Sequence, residues 1–175
     1  HIRDAIEASI PGFDNYNERA REMGGFYLPN SARDGKWNTI TGKANFNVAT
    51  PVPVSVADDE LMMMTIRSHD QFNTTIYGLN DRYRGVENER RVIFMNPKDI
   101  KKFGFEAGDL VDLYNFHGGV ERIARKFIII SFNIPLGCAA TYFPEANILV
   151  PIDSVADRSN TPTSKMVILK LRKHG

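Results

Sequence analysis

Residues 92–116 read VIFMNPKDIKKFGFEAGDLVDLYNF. Val92–Met95 is a short apolar run, the length of a buried strand rather than a helix. Asn96 then supplies an N-cap, Pro97 takes the first helical position, and Asp99 puts a negative charge in the first turn. Gly104 suits a left-handed C-cap, so the helix is brief. A Glu-Ala-Gly-Asp turn at 106–109 feeds a second strand over 110–114. Strand, small helix and strand in so few residues predict a mainly β domain with short helices.

The flanks extend this pattern. Gly118-Gly119 reads as a hairpin turn and 120–130 as the return strand. Residues 139–142, 148–151 and 166–171 read as three more short strands. Upstream, Leu61–Ile66 (LMMMTI) reads as a buried strand with its methionines as core filler. Many short strands, few helices and frequent Gly/Pro turns point to a β-barrel with α elements. Residues 1–58 differ: 1–10 show helical spacing at Ile2, Ala5, Ile6 and Ile10, stopped by Pro11-Gly12. Residues 11–60 are loop-like, with one short strand expected at 44–48. The expected organisation is an irregular N-terminal arm, 1–58, and a barrel domain, 59–175.

Composition sets limits. The chain has 175 residues, of which 42% are hydrophobic and 25% charged, as in an ordinary globular protein. A net charge of +1 gives no electrostatic case for a nucleic-acid or acidic-membrane partner. The basic clusters at 82–84, 90–91 and 122–126 are short and mixed with acids, so most read as solvated surface. One cysteine, Cys138, cannot build a disulfide, zinc site or iron–sulfur cluster within this chain. In its apolar setting it reads as a buried, inert thiol. It fits a reducing, cytoplasmic compartment. No apolar run approaches a bilayer span. The chain begins at His1 without an initiator Met, as a piece of a larger protein would.

The chemistry concentrates at 65–85, TIRSHDQFNTTIYGLNDRYRG. Arg67 offers a planar fork of donors suited to phosphate or carboxylate. Ser68, Asn73, Thr74 and Thr75 add small polar groups, and His69 and Gln71 can each donate and accept. The set suits a polyanion carrying a heterocycle. It equally suits a loop that caps its own turns. Asn147, at a predicted strand edge, could read a ring's polar rim or serve as a turn residue. Residues 159–165, SNTPTSK, could grip a phosphate or be plain surface. Four histidines, two of them near the chain ends, give little support to a metal site, and no nucleophile motif is present.

Taken in order, four segments carry a resemblance: TIRSHDQFNT, then NPKDI with FGFEAGDLVDL, then YFPEANILVP, then TPTSKMVILK. Together they resemble the C-terminal molybdopterin-dinucleotide-binding domain of the dimethyl-sulfoxide-reductase family. They are closest to formate-dehydrogenase-like alpha subunits. TITGKANF at 39–46 is similar to the segment that precedes this domain there.

The resemblance implies a double-psi β-barrel of the aspartate-decarboxylase-like kind. It implies one wall of a site for molybdopterin guanine dinucleotide, with the remaining domains of the parent chain as partners. Molybdenum or tungsten, its protein ligand and any iron–sulfur cluster belong to those other domains, so no catalytic or metal-ligating residue is expected here. Carried over by position, the cofactor-binding residues are Arg67, Ser68, His69, Gln71, Asn73 and Thr74, then Tyr83 and Arg84, with Asn147 and Lys165. Ile66 stands where many members have glycine before the first arginine. A non-catalytic double-psi interaction module is the alternative. A self-processing decarboxylase ranks last, because the chain has no Gly-Ser pair.

Overall fold

The structure, a computed structural model, describes every residue except Val52 and Thr74. It divides into two compact units, 1–52 and 53–175.

The first unit carries α1 (Ile2–Ser9) and α2 (Tyr16–Arg19). The Glu7 carboxylate accepts from the Asn15 and Tyr16 backbone N–H groups, at 3.0 and 3.2 Å, and so anchors the start of α2. Phe13, Tyr16 and Phe26 meet edge to face at 4.9–6.3 Å, and the Arg19 guanidinium lies 3.9 Å from the Phe26 ring centre. Neither helix buries a residue. The strand expected at 44–48 does not form: Phe46 and Val48 are fully exposed, and no strand is assigned there. Apolar alternation makes a strand only where a second strand pairs with it.

The second unit is a closed six-stranded barrel. Its strands are β1 (Leu61–Ile66), β2 (Val92–Met95), β3 (Leu110–His117), β4 (Val120–Ser131), β5 (Cys138–Tyr142) and β6 (Val167–Lys173). Around the barrel they run β1-β5-β2-β4-β3-β6. The β1–β5 and β2–β4 pairs are parallel and the other four antiparallel. Exchanging β1 with β4, β2 with β5 and β3 with β6 maps this pairing onto itself. The barrel is therefore two interlocked halves of the same topology.

Local sequence explains the connections. α3 (Pro97–Lys102) begins as its caps predict, with the Asn96 side chain accepting from the Lys98 N–H at 2.9 Å. It ends at Gly104, whose φ of +75° is the left-handed cap position. Gly118 and Gly119 both have positive φ, as a tight β3–β4 hairpin turn requires. One expected strand is replaced: Asn147–Leu149 is a 3-10 turn, formed where the Asn147 N–H bonds back to the Pro144 carbonyl.

The interior is filled by alternate residues of the strands, among them Leu61, Met63, Ile93, Met95, Leu113, Phe127, Ile129 and Leu169. Only the middle methionine of the 62–64 run is core, since Met64 is 46% exposed. β2 is buried on both faces. Val92 and Phe94 join Ala140, Tyr142 and Val86 in a second apolar cluster. Val86 belongs to the long β1–β2 loop, so that loop packs against the outside of the barrel.

Candidate functional site

Strand directions gather the polar segments at one end of the barrel. β1 and β5 run parallel with Ile66 beside Tyr142, so both exit there. The Phe143 N–H donates to the Ile66 carbonyl at 3.0 Å. β6 is antiparallel to β1 and enters at the same end, where the Thr65 N–H donates to the Ser164 carbonyl at 3.0 Å. Three segments therefore meet: the 67–91 loop, the turn after Tyr142, and the approach to β6 that carries Lys165.

Within the loop, burial alternates. Ser68 and Gln71 are buried at 4% and 7% exposure, whereas Arg67, His69, Asp70 and Asn73 face outward. Asn73 holds the left-handed conformation, φ +59°. Thr74 lies outside the described residues. The His69 ring stacks on Tyr83 with centres 3.7 Å apart.

Two buried charged groups organise this end, and sequence reasoning missed both. The first is Asp81. Its Oδ2 accepts from Arg84 at 2.6 Å, from the Tyr142 hydroxyl at 2.8 Å and from the His69 N–H at 3.2 Å. Its Oδ1 is buried without a partner among the described residues. The second is Arg90, 4% exposed. Against the expectation that most of the basic clusters are solvated surface, Arg90 is an exception. Its guanidinium pairs with Glu145 at 2.6 Å and donates to Ser68 Oγ at 2.9 Å and Gln71 Oε1 at 3.1 Å.

Arg67 and Lys165 share a cleft of about 160 Å³ with Thr65, Ile66, Gln71, Phe143 and Ser164. No carboxylate lines it. Lys165 Nζ donates to the Thr65 carbonyl at 2.6 Å, and among the described residues neither cation is ion-paired. Arg84 reaches back to the Arg67 carbonyl at 3.2 Å. Asn147 stands apart from this cleft, in an open groove of about 600 Å³ with Arg91, Arg125, Pro144 and Glu145. The site residues expected from sequence thus fall into an outward group on the loop, an inward pair bonded to Arg90, and Asn147 in a neighbouring groove. Cys138, expected to be buried, is half-buried and lines an apolar cleft with Met62 and Met64.

The charges leave a mark on proton affinities. Burial would raise the Asp81 carboxyl, but hydrogen bonds from Tyr142 and Arg84, with the Arg84 charge, outweigh it and hold it below its ordinary value. Asp112 in β3 behaves alike: burial opposes, and the Lys126 N–H with His174 and Arg125 prevails. Glu89 is lowered by the Arg91 and Arg90 backbone N–H groups. Burial and Asp81 together push the Tyr142 hydroxyl up.

A carboxyl depressed on folding stabilises the protein fully above its unfolded value, and the gain is lost as pH falls through the folded one. The barrel is therefore expected to keep its Tm above about pH 5 and to lose it progressively below about pH 4. Thermal melts across that range check this; a Tm flat down to about pH 3 would contradict it.

Known sequences bear on this geometry. Residues 61–168, nearly the whole barrel, match the family profile described as "Molydopterin dinucleotide binding domain". The chain belongs to this family of molybdopterin dinucleotide-binding domains. An uncharacterized oxidoreductase of Mycobacterium tuberculosis is 52% identical over 97% of the chain. Protein YdeP of Escherichia coli is 39% identical over the same share. In each case the chain spans 23% of the relative's length. A molybdopterin dinucleotide carries phosphates and nitrogen-rich rings. Two cations that are not ion-paired among the described residues, in a cleft lined by no carboxylate, suit such a ligand. Among the described residues no three His, Cys, Asp or Glu side chains converge as a metal site would need, and no helix is long and apolar enough to cross a membrane.

Proposed function

We propose that this barrel forms one wall of the site for molybdopterin guanine dinucleotide in a larger molybdenum or tungsten oxidoreductase of formate-dehydrogenase-like type. The observation that carries the reading is the Arg67–Lys165 cleft, two cations without carboxylate partners at the barrel end where three polar segments meet. The family match and the oxidoreductase name of the Mycobacterium relative support it. They do not favour a non-catalytic interaction module.

In this reading Arg67 and Lys165 hold phosphate oxygens. His69, Asn73, Tyr83 and Arg84 line the same approach, and Asn147 meets a ring edge from its groove. Residues 59–175 are the cofactor domain, and the metal's ligand and any iron–sulfur cluster belong to the rest of the parent chain. When bound, the cofactor supplies electron transfer at its metal. The barrel's residues bind and orient it. A cytoplasmic location belongs to the same reading and is supported by the single cysteine.

The test is metal, pterin and guanine-nucleotide analysis of the full-length parent made in a cofactor-competent host, with the 175-residue chain alongside. The expected result is a loaded parent and an empty short chain, because one wall keeps only part of the binding free energy. A parent with no metal, pterin or nucleotide would reject the reading.

A further inference from the structure

Arg90 has six acceptors within reach. Nε donates to Glu145 Oε1 at 2.6 Å, and Nη1 to Ser68 Oγ at 2.9 Å and to the Gly78 carbonyl at 3.4 Å. Nη2 donates to Gln71 Oε1 at 3.1 Å, Glu145 Oε2 at 3.3 Å and the Phe143 carbonyl at 3.4 Å. The guanidinium carbon lies 3.9 Å from the Tyr77 ring centre and 4.9 Å from that of Tyr142. One side chain thus reaches residues 68, 71, 77 and 78 of the long loop and residues 142, 143 and 145 of the opposite segment.

Asp81, through Tyr142 and the His69 N–H, and the buried Val86 anchor the loop's second half, and Arg90 anchors its first. Among the described residues the loop's regular pairing is limited to two isolated bridges, Phe72–Ile76 and Asp81–Val86. Among the described residues, Ser68 and Gln71 are its buried side chains before Asp81, and both bond to Arg90. Gln71 Nε2 continues the network to the Asn73 and Phe143 carbonyls, at 2.8 and 3.2 Å. Arg67, His69 and Asn73, the outward residues, are interleaved with these two.

We propose that Arg90 is a positioning residue for the cofactor. It holds Ser68 and Gln71 from within, and this sets the outward aim of Arg67, His69 and Asn73. On this account Ser68 and Gln71 serve the site through Arg90 rather than by touching the cofactor. The proposal rests on the cofactor-wall reading above. Lysine cannot replace Arg90, because a single ammonium has three donors and no planar fork for acceptors on two segments. Glu145 is the counter-charge that lets the guanidinium be buried.

The experiment uses the full-length parent, made in hosts able and unable to synthesise the cofactor, with Arg90→Lys, Glu145→Gln and Arg67→Ala. Amide hydrogen exchange reports the 68–80 segment in the cofactor-free protein, and retained pterin and guanine nucleotide report binding in the loaded one. For Arg90→Lys, exchange across 68–80 is expected to quicken about tenfold or more, the strands to stay protected, and retained cofactor to fall about tenfold. Glu145→Gln should move both readouts the same way but less, and it carries the test if the lysine variant does not fold. Arg67→Ala should lose cofactor with exchange unchanged.

Unchanged protection over 68–80 in Arg90→Lys would overturn the proposal. So would a loss of protection spread evenly over the barrel, which is what a merely structural residue would give. Full cofactor retention in Arg67→Ala would instead reject the cofactor-wall reading, while the exchange data would still decide what Arg90 does to the loop.

Discussion

Alanine at both Arg67 and Lys165 is expected to reduce the cofactor retained by the full-length parent about 100-fold. Hydrogen bonds to charged groups contribute about 1.5–3 kcal/mol each. Removing two therefore costs about 3 kcal/mol at the least, two orders of magnitude in a dissociation constant. Both side chains are exposed, so the fold should be little affected. Lys165 also bonds the Thr65 carbonyl in a part-buried contact, so Lys165→Ala and Arg67→Ala are melted separately as well as together. The measurement is pterin and guanine nucleotide per protein after gel filtration, with a thermal melt on the same sample. Lost cofactor at an unchanged Tm supports direct contact. Full loading of the double variant would reject phosphate binding in this cleft.

Asp81→Ala should be among the most destabilising single changes in the barrel. The carboxylate accepts from the Tyr142 hydroxyl and the His69 N–H, and alanine leaves both donors without an acceptor. A buried unpaired donor such as the Tyr142 hydroxyl costs about 1–3 kcal/mol, and the part-buried His69 N–H costs less. Arg84 also loses its partner, but it is 27% exposed on that side chain and can turn toward water. The sum is about 2–3 kcal/mol, or a Tm lower by about 4–12 °C for a chain of this size. Tyr142→Phe removes one donor and keeps the ring, and should cost only about 1 kcal/mol. Denaturant unfolding of the two variants checks the ranking. Equal losses would show that the carboxylate contributes no more than its bond to tyrosine.

Much of this fold was legible because its signals are local. Asn96, Pro97 and Gly104 bracket α3 with their own backbone chemistry, and Gly118-Gly119 marks the hairpin in the same way. The polar loop at 65–85 was legible from its density of donors. Asp81 and Arg90 were not, because their partners are distant in sequence: Tyr142 is 61 residues from Asp81, and Glu145 is 55 from Arg90. Beside Glu87, Glu89 and Arg91, Arg90 looks like any solvated charge. The available signal was its place two residues before β2, a strand buried on both faces. A charge that enters such a strand must either stop short of it or find a partner. Ser68 and Gln71 read ambiguously for the reverse reason, since a hydroxyl or amide that bonds a buried arginine has the same composition as one that serves a ligand.

The ring of strands also has a temporal side. β6 closes the barrel between β1 and β3, yet it is the last strand in chain order. On the ribosome, β1 emerges more than 100 residues before its partner β6, as the Leu61–Leu169 pairing shows. Until β6 appears, β1 and β3 each present an unpaired edge of the kind that invites aggregation. Pairings this distant also close slowly. Lys165 lies just ahead of β6, so the cleft it shares with Arg67 cannot exist until residue 165 has been made. On the cofactor-wall reading, loading follows translation of β6, and a chaperone that shields open strand edges would have its natural window in the interval before β6 arrives.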